Sequence, residues 1–427
     1  MFRRCLLLVL LTSAFVPITP SARADENGIA DSDWPWWRGP DRNGVAQQNQ
    51  TLPATWDDDH NVLWKQPVPG RGHGSPTIVG DRVFLATADE DREVQSVLCY
   101  DRTTGEQLWK TDVHEGGFTA SGDRQGHPRS TKASSTVASD GERVFINFFN
   151  RDAVYTTALS MDGEKLWQQK VSDYVMHQGY GSSPTVYGPL VIVSADNKGG
   201  GAVTAFERVT GTLAWTVKRR ELPNYTSPII LEIDGRDQLI FTGHEVVTSI
   251  DPLTGALNWE AEGATVECVS SVVTDGKNIV TSGGYPSKHI SVMRADGSGE
   301  VIWRNSTEVY VPSLLAHDGH IYGVSDSGDV FCHSFDSDTP LWEHRLRGKF
   351  SASPILVGDT IYATNEKGTT YIFKATPSAF ELVGENTISA KDVQATAAIC
   401  GNRIYLRVAQ EHDDVRQEML YCIGLDE

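Results

Sequence analysis

The side chains able to do chemistry in this sequence are dispersed, and the motif tests they invite fail in turn. Twelve histidines occur. His244-Glu245 begins like a zinc-protease pair, but no second histidine follows at the spacing that would put two ring nitrogens on one helical face. Gly179-Tyr-Gly-Ser-Ser183 departs from the Gly-x-Ser-x-Gly nucleophile elbow, and the strand–turn–helix pattern such an elbow needs is missing around it. Gly199-Gly-Gly201 has no helix behind it whose amides would cradle phosphate. His317 and His320 flank the Asp318-Gly319 turn and read as a polar hairpin, not a metal pair. No Asp-rich stretch matches an EF-hand loop, and no CxxC occurs, so no metal site is marked.

What remains is a set of polar side chains in or beside long, irregular stretches at 88–96, 114–130, 174–182, 195–202, 283–289 and 409–417. The ligand-binding candidates are His73, His127, Arg129, Lys132, His177, Tyr180, Asp196, Tyr225, His244 and Glu245. Imidazoles, cations, phenols and carboxylates of this kind suit a small polar ligand or a protein partner, provided a scaffold brings them together.

The scaffold is legible as a repeat. Trp64, Trp109, Trp167, Trp215, Trp259, Trp303 and Trp342 recur at spacings of 45, 58, 48, 44, 44 and 39 residues, and a further 41 lead to Val383. Five are preceded four residues earlier by glycine (Gly105, Gly163, Gly211, Gly255, Gly299) and one by Asp338. The fullest copies are Asp101-Arg-Thr-Thr-Gly105-Glu-Gln-Leu-Trp109 and Asp251-Pro-Leu-Thr-Gly255-Ala-Leu-Asn-Trp259. Asp and Thr bond the amides of a tight turn, Gly supplies the positive φ, and the indole falls on the next strand as a structural docking residue. Before each such phrase comes another: a small polar pair, an apolar strand, a Gly/Asp turn and a second apolar strand, as in Ser75–Phe84 and Ser353–Tyr362. Each unit therefore holds four short strands, a to d, with no helical periodicity between them.

Eight units are counted, with Val383 in place of Trp in the seventh. The eighth stops after its third strand, and the early stretch 61–68, containing Trp64, is free to complete it. The expected fold is all-β: an eight-bladed β-propeller of four-stranded antiparallel blades, closed by an N-terminal strand. Residues 61–427 form the propeller, with 25–60 an arm packing on it; Trp34, Trp36 and Trp37 are expected along the ring exterior. The a–b and c–d turns share one face. The longer b–c and d–a connections share the other, so the candidate residues gather over the channel mouth, with His73, Lys132, Tyr180 and Tyr225 nearest the axis.

The Asp-x-x-Thr-Gly-x-x-x-Trp phrase resembles the tryptophan-docking motif of propellers built from pyrroloquinoline-quinone-type (PQQ-like) repeats. The similarity covers nearly all of 61–427. Trp34-Pro-Trp-Trp-Arg-Gly-Pro-Asp-Arg-Asn-Gly44 with Gly70-Arg-Gly-His-Gly-Ser-Pro76 looks most like exported bacterial members of unassigned function. More distantly the chain resembles BamB and the quinoprotein dehydrogenases. The resemblance implies two readings: a binding or scaffold protein, or a dehydrogenase oxidising an alcohol or sugar with PQQ and Ca²⁺ at the axis. The adjacent cysteine pair of the alcohol-class enzymes is missing here, as is the lipid-attachment cysteine of BamB-like members.

Composition bounds the rest. At 427 residues, 39% hydrophobic and 22% charged, the chain is neither disordered nor fibrous. Residues 1–24 read as a signal peptide: Arg3-Arg4, an apolar run from Leu6 to Val16, and Ala22-Arg23-Ala24 before the cleavage point. That run is well short of the roughly 20 residues a spanning helix needs, so a periplasmic or secreted location is expected, without a transmembrane segment or lipid anchor. Beyond the leader, 34 basic face 56 acidic residues, a balance of −22 that repels phosphate backbones and disfavours nucleic-acid partners. Five scattered cysteines outline no disulfide framework and read as small buried strand residues.

Overall fold

Short strands apolar on both faces must be sandwiched between other sheets, and this chain meets that demand by arranging eight such sheets in a ring. The structure, a computed structural model, describes residues 28–118 and 126–426; the leader lies outside them. From innermost to outermost strand the blades run Thr77–Val79 to Gln107–Glu115, Ala138–Ser139 to Lys165–Asp173, Thr185–Tyr187 to Leu213–Lys218, Ile229–Ile233 to Leu257–Glu262, Val273–Thr274 to Val301–Asn305, Leu315–His317 to Trp342–Arg345, and Ile355–Val357 to Leu382–Thr387. The eighth comprises Ala398–Cys400, Arg403–His412 and Val415–Gly424, with Val62–Val68 as its outermost strand. Ring closure is therefore a strand from the start of the chain pairing antiparallel with its end, Trp64 opposite Cys422. All five described cysteines are buried and free.

Six of the seven docking indoles hydrogen-bond one blade to the next. Trp64, Trp109, Trp167, Trp215, Trp303 and Trp342 donate Nε1–H to the backbone carbonyls of Arg102, Met161, Arg208, Pro252, Phe335 and Thr376 respectively, each in the following blade. Trp259 differs and donates to the Gln238 side chain of its own blade. A register shift beside the indole position recurs in seven of the eight outer-strand pairings, which leans the ring over its neighbour. The turn glycine has a second duty: a Cβ on Gly211 would lie 2.7 Å from the Trp167 ring, and its φ is +72°. Gly211→Ala is expected to cost about 2–4 kcal/mol, adding left-handed backbone strain to a steric clash. Denaturant unfolding would check it; a loss within 0.5 kcal/mol would mean the ring has room to move.

The small polar pair of the second repeat phrase forms a belt of hydroxyls around the axis. Backbone N–H groups of Ser75, Thr136 and Ser183 donate to Thr136, Ser183 and Ser227 hydroxyls, and those of Ser271, Ser313 and Ser353 to Ser313, Ser353 and Thr396. Every link spans 2.8–3.0 Å and joins equivalent positions of successive blades.

The arm does not run along the exterior where its three tryptophans were expected. Residues 34–46 enter the central channel from the short-turn face and touch the innermost segments of six blades. Trp34 exchanges both backbone bonds with Ile78 (2.8 and 2.9 Å), and Pro35 accepts from Ser139 N–H. Trp37 Nε1 donates to Ser271 Oγ at 3.0 Å, Arg38 Nη2 to Leu314 carbonyl, and Arg42 Nη2 to Val186 carbonyl. Val45–Ala46 pairs in parallel with Ile355–Val357, making that sheet five-stranded. Eight inward-facing strand edges leave an axial hole with unpaired amides. A Trp-Pro-Trp-Trp-Arg plug fills it with apolar area and supplies main-chain partners at once. Beyond the plug, Trp56 is buried against the seventh and eighth blades, the junction where Val383 stands in the docking position, and its backbone N–H donates to Asn386 Oδ1 at 3.1 Å.

Candidate functional site

With the plug in the short-turn end, the open end of the channel lies among the b–c and d–a connections. Two contacts tie these connections together across the mouth. Arg129 Nη2 meets Glu366 Oε1 at 2.6 Å, linking the first-to-second blade connection to the seventh blade, and Glu366 also accepts from Ser351 Oγ. His177 Nε2 lies 3.4 Å from Glu267 Oε1, across the second-to-third and fourth-to-fifth connections. Backbone bonds reinforce both, from His127 N–H to Gln178 carbonyl and from Tyr225 N–H to Cys268 carbonyl. The mouth is thus a pre-braced polar rim, not a set of independent loops.

Its electrostatics are lopsided. His73 sits among Arg71, Arg129, Arg407 and Arg416, and burial together with these cations holds its imidazole well below the usual range. On the far side, burial raises the carboxyl of Asp326, which nonetheless accepts from Tyr310 N–H at 2.7 Å and Val311 N–H at 3.1 Å. Burial also pushes Tyr310 up to about 12 and raises Tyr225 further.

The sequence candidates divide into three groups. His73, His177 and Tyr225 stand half-buried at the mouth, while His127, Arg129 and Glu245 are exposed on its rim. Lys132 is half-buried, with Glu90 and Glu93 as its charged neighbours. Tyr180 is turned into the packed interior: its hydroxyl donates to Ser194 carbonyl at 2.9 Å and its ring meets Tyr174 edge-on. Asp196 and His244 belong to an internal knot. Arg219 grips Asp196 with Nε at 3.0 Å and Nη2 at 3.3 Å, and His244 Nε2 donates to Leu222 carbonyl at 2.9 Å. Asp196 and His244 are 2% and 0% exposed and their polar groups are already paired, so neither offers a free group to a ligand. The long loops marked these residues as surface, but sequence cannot say that an Arg–Asp pair closes beneath them.

Sequence reading missed Arg71, Glu267, Asp326, Glu366 and Arg407 as parts of the mouth. Arg407 had a signal: an arginine inside the otherwise apolar run Ile404–Val408 of an inner strand needs a buried partner. Glu267 and Glu366 carried none.

The side chains present do not fit a quinone–calcium centre. No group of three or more His, Cys, Asp or Glu able to hold a metal occurs among the described residues. Three carboxylates of the mouth are already committed, Glu366 to Arg129 and Ser351, Glu267 to His177, and Asp326 to two backbone amides.

Comparison with known proteins bears on the same question. A family described as outer membrane protein assembly factor BamB matches residues 41–115, 93–334 and 287–377. The outer membrane protein assembly factor BamB of Burkholderia pseudomallei (strain K96243) is 23% identical over 359 residues, covering 81% of this chain and 85% of that protein. Among solved structures, BamB from Moraxella catarrhalis superposes with TM-score 0.57 at 15% identity, covering 84% of this chain and 96% of that one. A europium-containing methanol dehydrogenase superposes with TM-score 0.65 at 11% identity, covering 94% and 99%. At such identities the structural likeness speaks for the propeller fold alone.

Proposed function

Because the chain belongs to the PQQ-like repeat family described as outer membrane protein assembly factor BamB, we propose that it is an exported scaffold that binds protein in outer membrane assembly, using its long-loop face. The observation that carries this reading is a mouth whose rim carboxylates are already paired, beneath hydrogen-bonded loops that expose apolar side chains. Val175, Tyr285 and Val415, on three different connections of this face, are 49%, 57% and 66% exposed. The loops bearing the first two are held from below: Tyr285 carbonyl accepts from Thr265 Oγ1 at 3.0 Å, and Val175 N–H donates to Asn197 Oδ1 at 3.1 Å. Preformed apolar knobs on a braced polar rim suit a protein surface, since little ordering entropy is lost on docking. No helix among the described residues is long and apolar enough to cross a membrane.

The test is site-specific photocrosslinking in the cell envelope from positions 175, 285 and 415, with position 257 on an outer strand as control. Crosslinks from the loop positions to a component of outer membrane protein assembly are expected. Crosslinks only from 257 would move the binding surface elsewhere, and none from any position would end the reading. In parallel, the purified chain given PQQ and Ca²⁺ is expected to reduce no dye with alcohols or sugars; saturable turnover would reinstate the enzyme.

A further inference from the structure

The junction between the last blade and the first gathers buried polar atoms that nothing in the fold satisfies. In the run Arg71-Gly-His-Gly-Ser75, the Arg71 Nε, His73 Nε2 and Ser75 Oγ atoms are each buried without a partner among the described residues. Against this run lies Arg407 from the eighth blade, 1% exposed. Its Nε meets Glu418 at 3.1 Å and its Nη1 donates to Ala86 carbonyl at 2.7 Å, but its Nη2 is buried and unpartnered. The approach is close: a Cβ on Gly72 would sit 2.7 and 2.8 Å from the two terminal guanidinium nitrogens, so only glycine lets the chain pass.

Two further observations point the same way. In the hydroxyl belt, seven of the eight positions accept a hydrogen bond, six from the preceding blade and Ser271 from Trp37. Ser75 is the exception, and it is the belt member in this junction. Charge is also unbalanced. Glu418 is shared by Arg407 and Arg416, Arg416 also reaches Asp392 at 3.7 Å, and Glu366 is taken by Arg129, so the surplus charge is that of Arg71. No carboxylate pairs with Arg71 among the described residues. Buried donors in excess beside unneutralised positive charge are costly unless a negatively charged acceptor joins them. Water can satisfy single donors but not the surplus charge.

We propose that the junction of the last and first blades is a binding site for a small oxyanion, a phosphate or carboxylate group, received by Arg71, His73, Ser75 and Arg407. Guanidinium forks and a hydroxyl match the two or three oxygens of such a group, and His73 donates in its Nε2–H tautomer. Arg71 and His73 are half-buried, so the run that carries these buried donors reaches the surface at the mouth. The site stands apart from the protein-binding reading, since its residues lie beneath the loops and not on the exposed apolar knobs.

The test titrates the purified chain with inorganic phosphate and, separately, with succinate, against sodium chloride at matched ionic strength. Either oxyanion should give saturable heat in calorimetry and a melting temperature raised by about 2–4 °C at saturation. The stronger of the two identifies which oxygen geometry the site prefers. Arg71→Gln and His73→Gln, both at half-buried positions, should each weaken binding at least tenfold while the variants remain folded by circular dichroism. An effect no larger than that of chloride overturns the proposal. So does saturable binding that both variants retain, because the anion would then lie elsewhere.

Discussion

Trp34→Ala is expected to lower the unfolding free energy by about 3–5 kcal/mol, the range for truncating a fully buried indole. Its ring is 2% exposed and lies so near Gly39 that a Cβ there would come within 2.8 Å of it. Its backbone completes the inner edge of the first blade through Ile78. The loss would come from the axis of the molecule, where collapse is blocked by eight surrounding strands, so the cavity persists. Trp37→Ala, at a half-buried ring whose main bond is Nε1 to Ser271 Oγ, should cost about 1–2 kcal/mol. Denaturant unfolding of both variants checks the pair. Near-equal small losses would mean that the plug is a passive filling and that the ring stands without it.

Acid is expected to weaken the fold between pH 6.5 and about 4. Burial pushes His114 down to about 4, with Lys165 and Arg151 adding to it, and burial pushes His289 down to about 4, with Arg304 adding. His73, His244 and His333 are shifted the same way, chiefly by burial. The unfolded chain takes up these protons from about pH 6.5 downward while the folded chain stays neutral, so protonation favours unfolding. Stability contributed by the neutral rings is complete above the unfolded value and declines until the folded value is reached. His114 and His289 together should account for about 4–6 kcal/mol, a large share of the roughly 5–15 kcal/mol typical of a whole protein. Asp326, raised by burial, works in the opposite direction and softens the slope near its lower end. Unfolding free energies measured from pH 7.5 to 4.5 should fall steadily, and His289→Gln should reduce the slope by the share that His289 contributes beside the other four histidines. A flat profile would show that these imidazoles find water or a partner when charged.

Much of this molecule is legible in one dimension because its architecture is local. A blade is a meander of four strands within about 45 residues, so the turn Asp, the left-handed Gly and the Trp one strand on can be read from spacing alone. Ring closure was legible too: an eighth unit lacking its outer strand and an early strand lacking a sheet are complementary, and Trp64 carries the register. What spacing could not tell was which way a residue outside the repeat would face. Tyr180, Asp196 and His244 sit in polar, irregular sequence, yet the first is spent on the Ser194 carbonyl and the other two are enclosed around Arg219. Loops of a propeller are stacked on one another near the axis, so polarity there does not mean exposure.

The sequence by itself therefore determined the blade, the number of blades, the seam and the indole fasteners, since each depends on contacts between neighbours in the chain or between copies of one repeat. Only the tertiary structure decided where the arm goes, which charges meet across the mouth and where the belt of hydroxyls is left open at Ser75. Those outcomes rest on pairs far apart in sequence, 276 residues for Arg38 and Leu314 and 330 for Trp56 and Asn386. Their partners become neighbours only once the ring closes and brings eight blades around a single axis.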